Sequence, residues 1–164
     1  MLHSQRAFPS KPRIVVGMKQ PLTRSPELLQ AVKTALTPQR LPLLIAIDGA
    51  DGCGKTSLAS WLGWQLGMPS IPLDVFVWRL NPLQWRIPEL QRVLAKRVDD
   101  ERRPVIIDSV LVLDALQQVG RKADYLIFVH GGGGSLGLQA QIDAYQARWR
   151  PQELADFQIQ GYDE

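Results

Sequence analysis

The sequence predicts a three-layer α/β/α fold, a parallel β-sheet with helices on both faces. Three observations carry that prediction. Apolar runs of strand length alternate with helical periodicity along the 164 residues. The runs at 43–47, 105–107 and 125–129 are continuously apolar, as strands covered on both faces require. The first run passes through a glycine-rich turn directly into a helix, which is the strand-turn-helix unit of a parallel sheet.

The elements follow in order. Residues 1–24 read as a basic, flexible extension containing Pro9, Pro12 and Pro21; residues 25–164 read as one domain. Ser25 as N-cap, Pro26 in the first turn and Glu27 behind it start a helix. Leu28, Leu29, Val32, Ala35 and Leu36 give it an apolar side, and Pro38 and Pro42 end it. The first strand covers 43–47, and the helix after the glycine turn covers 56–66. Gly67-Met68-Pro69 stops that helix. A short second strand lies within 71–76 and ends near Asp74. Residues 77–87 read as loop, with Asn81-Pro82 as a turn. Helical spacing resumes over 89–98, with Pro88 at its start. A third strand at 105–108 and a helix at 111–119, closed by Gly120, come next. Strand four covers 123–129, the glycines at 131–134 make a flexible break, and a helix spans 136–148. Residues 155–160 read as a fifth strand.

Composition narrows the class. The hydrophobic share of 45% and charged share of 21% are those of a globular domain. With Cys53 as the single cysteine, an intrachain disulfide and a cysteine metal cluster are both excluded, which fits a reducing compartment. No apolar run reaches the ~20 residues of a membrane span. No signal-peptide pattern is present, so a cytoplasmic location is expected. The net charge is +3, but residues 1–24 carry Arg6, Lys11, Arg13, Lys19 and Arg24 with no acid. The remainder is close to neutral, so a nucleic-acid partner is not expected.

The chemistry concentrates at Gly49-Ala50-Asp51-Gly52-Cys53-Gly54-Lys55-Thr56, which is G-x-x-x-x-G-K-T. Glycines let backbone N–H groups close around a polyphosphate, and the helix start adds partial positive charge. Lys55 would reach the β- and γ-phosphates, and the Thr56 hydroxyl would ligate Mg²⁺. Residues Gly49 through Thr56, with Ser57, form the expected nucleotide site, and ATP and Mg²⁺ are the expected cofactors. In a parallel sheet, ligands gather at the carboxyl ends of the strands, which puts Asp74, Asp108 and His130 on the same rim. Asp108 there is a Mg²⁺ ligand or the cap of the following helix; Asp74 is a general base or a turn cap. Asp48 braces the loop. Cys53, near a helix N-terminus, is a spacer or a thiol of lowered pKa. Trp78, Trp85 and Arg86 follow strand two, where an aromatic could stack on an acceptor.

These residues resemble a known group. Positions 47–56 look like the phosphate loops of small nucleoside and nucleoside-monophosphate kinases, and the layout beyond is similar to the uridine kinase-like P-loop kinases. Leu73-Asp74-Val75-Phe76 stands where that group has an acidic-aromatic motif with its catalytic acid. Val105-Ile106-Ile107-Asp108-Ser109-Val110 matches its apolar strand ending in an acid. Residues 123–129 and 155–159 resemble its last two strands. The resemblance spans about 43–160 and implies a five-stranded parallel sheet in the order 2-3-1-4-5. It also implies transfer of the γ-phosphoryl group of ATP, with Mg²⁺, to a small-molecule hydroxyl. Lys55, Asp74 and Arg148 would then be catalytic, with Thr56 and Asp108 on the metal. The chain departs from the group in its lid, which is Gly131-Gly132-Gly133-Gly134-Ser135-Leu136-Gly137 and holds no arginine. Arg148 and Arg150 either fold over the site in its place or form a solvated helix end. Leu73 and Ser109 also replace an acid and a glycine. The expected function is therefore an ATP-dependent kinase. The alternative is a P-loop protein that binds nucleotide for regulation or interaction and transfers nothing.

Overall fold

The computed structural model describes residues 22–37, 43–133 and 137–162. Most of the basic extension, Pro38, Pro42 and positions 134–136 of the expected lid lie outside the described residues.

The described elements are α1 (Ser25–Leu36), β1 (Leu44–Gly49), α2 (Lys55–Leu66) and β2 (Ser70–Pro72), then a 3₁₀ turn (Leu73–Phe76). They continue with β3 (Val77–Leu80), β4 (Leu83–Trp85), α3 (Ile87–Leu94) with a wider π turn (Ala95–Asp100), and β5 (Val105–Asp108). The last are α4 (Val112–Gln118), β6 (Tyr125–His130), α5 (Gln139–Trp149), α6 (Pro151–Leu154) and β7 (Phe157–Gln160). Five strands form one sheet in the order β2-β5-β1-β6-β7, every pair parallel. Counted within that sheet, the order is 2-3-1-4-5, as the resemblance implies.

Alternation along each strand builds the two cores. Leu44 and Ala46 of β1, with Val105 and Ile107 of β5, face α3, α4 and α5 through Leu90, Leu94, Val112, Leu116 and Ile142. Ile45, Ile47 and Ile106 point the other way, onto Leu28 and Val32 of α1 and Leu58 and Leu62 of α2. Ile107 is fully buried, a removal of apolar surface that stabilises by about 1.5–3 kcal/mol.

Two repeats of Ala-Asp-aromatic set the register at the amino edge of the sheet. Asp124 receives the Leu44 N–H on its carboxylate at 2.7 Å, while its own N–H donates to Leu44 O at 2.9 Å. Asp156 does the same for Leu126, at 2.8 Å in both directions. Each acid closes the first ladder position of the strand beside it, where no further strand residue supplies an acceptor.

Several expectations are corrected. Arg24, not Ser25, is the N-cap of α1; the Ser25 hydroxyl bonds back to Leu22, donating to its O at 2.7 Å and accepting its N–H at 3.1 Å. The second strand stops at Pro72, whose missing N–H ends the ladder, and Asp74 sits in the 3₁₀ turn that follows. Residues 77–87 are not plain loop. Val77 pairs with Trp85 and Leu80 with Leu83 in an antiparallel hairpin about a cis Asn81-Pro82 peptide. The hairpin is held to α5 by Gln141, whose carboxamide accepts the Leu83 N–H at 2.9 Å and donates to Leu83 O at 3.3 Å. The helix expected from 136 begins at Gln139 among the described residues, and α6 lies between it and β7.

Asp124→Ala strands the buried Leu44 N–H and is expected to cost about 1–3 kcal/mol. Urea unfolding checks this, with Asp124→Asn, which keeps a carbonyl acceptor, expected to retain most of the stability.

Candidate functional site

The loop that leaves β1 has no side-chain cap on the helix it opens; Gly54 is the N-cap of α2, with left-handed backbone. Lys55 and Thr56, the first residues of α2, therefore project from the helix start at the carboxyl edge of the sheet. Lys55 is buried, and its ammonium donates to the Ala50 carbonyl and lies 3.8 Å from Cys53 Sγ.

Two later chain segments press against the loop. A Cβ on Gly132 would lie 2.3 Å from Asp51 O and 2.7 Å from Cys53 N, at a φ of +82°. A Cβ on Gly161 would lie 2.2 Å from Cys53 O and 2.5 Å from His130 O. The Gly132 N–H donates to Tyr162 O at 2.9 Å, and the Tyr162 N–H to Cys53 O at 3.2 Å. Gly132 is thus a packing residue against the loop backbone, where the sequence reads a flexible break.

Three of the aspartates at this edge have distinct surroundings. Asp48 ends buried beside the loop, taking the Gly49 N–H at 2.8 Å and the Tyr145 hydroxyl. Burial pushes its carboxyl from 3.8 to about 7, against those hydrogen bonds and Lys55, which pull it down. The Tyr145 oxygen also receives the Leu113 N–H at 3.3 Å, so one phenol ties β1, α4 and α5 together. Burial and the neighbouring Asp48 hold the proton on that phenol. Asp108, the last residue of β5, accepts the Thr56 hydroxyl at 2.7 Å on Oδ2. Burial raises its pKa, with Thr56 and Lys55 opposing. Its Oδ1 and the Ser109 hydroxyl are buried without a partner. Asp108 does not cap the next helix, whose N-cap is Leu111. Asp74 is exposed.

A cleft of about 280 Å³ brings together Asp51, Gly52, Gly54, Lys55, Thr56 and Ser57 with Asp74, Asp108, Ser109, Val110 and Tyr162. A second cleft, of about 550 Å³, is walled by Val77, Trp78, Leu80, Leu83, Val110 and Leu138. Asp51 and Asp74 stand in both.

Other expected residues lie elsewhere. Arg148 lines neither cleft: its guanidinium donates to Gln117 Oε1, lies 3.5 Å from Asp114 and stacks on Trp149. Arg150 pairs with Glu153 at 3.6 Å. His130 bonds Gln158 Oε1 at 2.8 Å. Trp85 is buried in the core, and Arg86 joins Trp78 on a separate shallow groove. Cys53 is buried, and burial raises its pKa, which overturns the lowered thiol expected from the helix start. Ser109, Val110 and Tyr162 were not expected at the site. For Tyr162 the signal was its place just after the last strand; Tyr145 left none, because its hydroxyl meets Asp48 across 97 residues.

The donor set fits a magnesium ion. Asp108 Oδ1, Ser109 Oγ and the Thr56 hydroxyl are hard oxygens, and one carboxylate with substrate phosphates is the usual magnesium environment. Among the described residues no helix is long and apolar enough to cross a membrane.

No family model matches the chain, and no curated protein matches it. Solved structures do. A possible uridine kinase from Bacillus stearothermophilus is similar over 83% of this chain and 97% of its own, with a TM-score of 0.62 at 16% identity. A putative fructose transport system kinase from Silicibacter sp. TM1040 is similar over 80% and 84%, with a TM-score of 0.50 at 20% identity. At such identities the likeness speaks for the fold alone: this chain shares the three-layer fold of those structures, a five-stranded parallel sheet with helices on both faces.

Two outcomes follow. A carboxyl that holds its proton more tightly when folded adds stability that is complete below 3.8 and is lost as pH rises through about 7. Asp48→Asn cannot ionise, so its urea midpoint is expected to fall less steeply across that window than that of the unaltered protein; Asp108, also raised by burial, adds to the slope in the same direction. Gly132→Ala forces a side chain into the loop backbone at positive φ and is expected to cost about 1–3 kcal/mol in thermal unfolding.

Proposed function

We propose that this protein is an ATP-dependent kinase that transfers the γ-phosphoryl group to a hydroxyl of a small molecule. The observation that carries the reading is the position of Asp74, an exposed carboxylate lining both the loop cleft and the apolar cleft beside it. A base for phosphoryl transfer has to reach the acceptor oxygen and lie within reach of the phosphate at once.

In this reading the loop amides hold the β-phosphate, and Lys55 stabilises charge on the transferring group. Thr56 and Asp108 would hold magnesium, whose charge would offset that of the phosphate oxygens. The acceptor oxygen forms a bond to the γ-phosphorus as the bond from that phosphorus to the β,γ-bridging oxygen breaks. The acceptor proton passes to Asp74, and ADP carries the bridging oxygen away. Arg148 has no part in this scheme, because Gln117 and Asp114 engage it.

One observation favours a second reading, a nucleotide-binding protein that transfers nothing. Among the described residues no arginine lines either cleft. Arginine commonly balances the charge that builds on a moving phosphoryl group. The two readings separate on Asp74→Asn. A kinase is expected to lose about 10²–10⁴-fold in turnover with ATP affinity unchanged. A binding protein releases no phosphorylated product before or after the change. Both require that Lys55→Ala weaken ATP binding, followed by displacement of a fluorescent ATP analogue; undiminished binding there would sink both.

A further inference from the structure

We infer that the acceptor is an alcohol with an apolar or aromatic body and no negative charge. The inference rests on the kinase reading and names the substrate class of that same site. The second cleft, at about 550 Å³, lies within the size range of small-molecule sites. Its walls are aliphatic and aromatic: Val77, Trp78, Leu80 and Leu83 of the hairpin, faced by Val110 and Leu138.

Two of those side chains stand open to water. Leu80 is 71% exposed and Trp78 is 58% exposed, although both belong to a hairpin that Gln141 of α5 hydrogen-bonds at Leu83. Large apolar groups kept at the surface on a fixed element mark a place where apolar ligand surface is buried.

Charge decides the rest. The ionisable groups lining the cleft are Asp51 and Asp74, both acids, and among the described residues no lysine, arginine or histidine lines it. A phosphate or carboxylate on the acceptor would meet two carboxylates with no cation lining the same cleft among the described residues, and like charges repel. A neutral body loses nothing there, and an ammonium group gains. The cleft therefore selects against phosphorylated acceptors, such as nucleoside monophosphates, and against sugar acids.

Matched pairs test this with the full chain, ATP and Mg²⁺, following ADP release and phosphorylated product. Suitable pairs are a nucleoside with its 5′-monophosphate, and an aromatic alcohol with its ring-carboxylated counterpart. The uncharged member is expected to exceed its anionic partner at least about tenfold in kcat/KM. Leu80→Arg, at an exposed position on the cleft wall, is expected to narrow or reverse that ratio without altering ATP affinity. Equal or better turnover of the anionic members by the unaltered protein overturns the inference and leaves the kinase reading standing. ATP binding with no product from either member of any pair overturns the kinase reading, and the inference with it.

Discussion

The arrangement depends on close backbone contact around one loop. The turn after β1 is gripped where β6 and β7 end, by Gly132 against Asp51 and Cys53 and by Gly161 against Cys53 and His130. Neither contact leaves space for a Cβ, so main chain touches main chain. The Tyr162 N–H fixes the Cys53 carbonyl, and the Gly132 N–H binds the Tyr162 carbonyl, which links the three segments in sequence. This packing holds the peptide planes of the loop from outside, as an anion cradle of amides would require.

Environment sets three chemically identical side chains in different surroundings. Asp48 is buried under Tyr145 and favours its proton, which suits a brace. Asp108 has one oxygen bound to Thr56 and one buried and unsatisfied, which suits a cation. Asp74 is exposed at the meeting of two clefts, which suits proton exchange with a substrate.

The β3–β4 hairpin is the element that individualises the site. It lies outside the main sheet, closed by the Arg86 N–H on Phe76 O at 2.8 Å and fastened to α5 through Gln141. Its buried residues, Leu83 and Trp85, anchor it in the core, while Trp78 and Leu80 remain outside on the cleft wall. One short element thus divides its apolar residues between the core and the cleft wall.

Much of this was legible in the sequence because it is local. Gly49 to Thr56 announces its own turn and helix start, and the apolar runs of β1, β5 and β6 state that both faces of the sheet are covered. The acid at the end of β5 follows from chain order alone. The hairpin was missed because Asn81-Pro82 reads as a break while the alternation on either side spans only a few residues. The Tyr145–Asp48 bond, the Gln141 clamp, the fate of Arg148 and the seating of Gly132 were decided by tertiary structure. Each joins residues far apart in the chain, and no periodicity along one segment records which distant backbone or side chain will stand within a few ångströms of it.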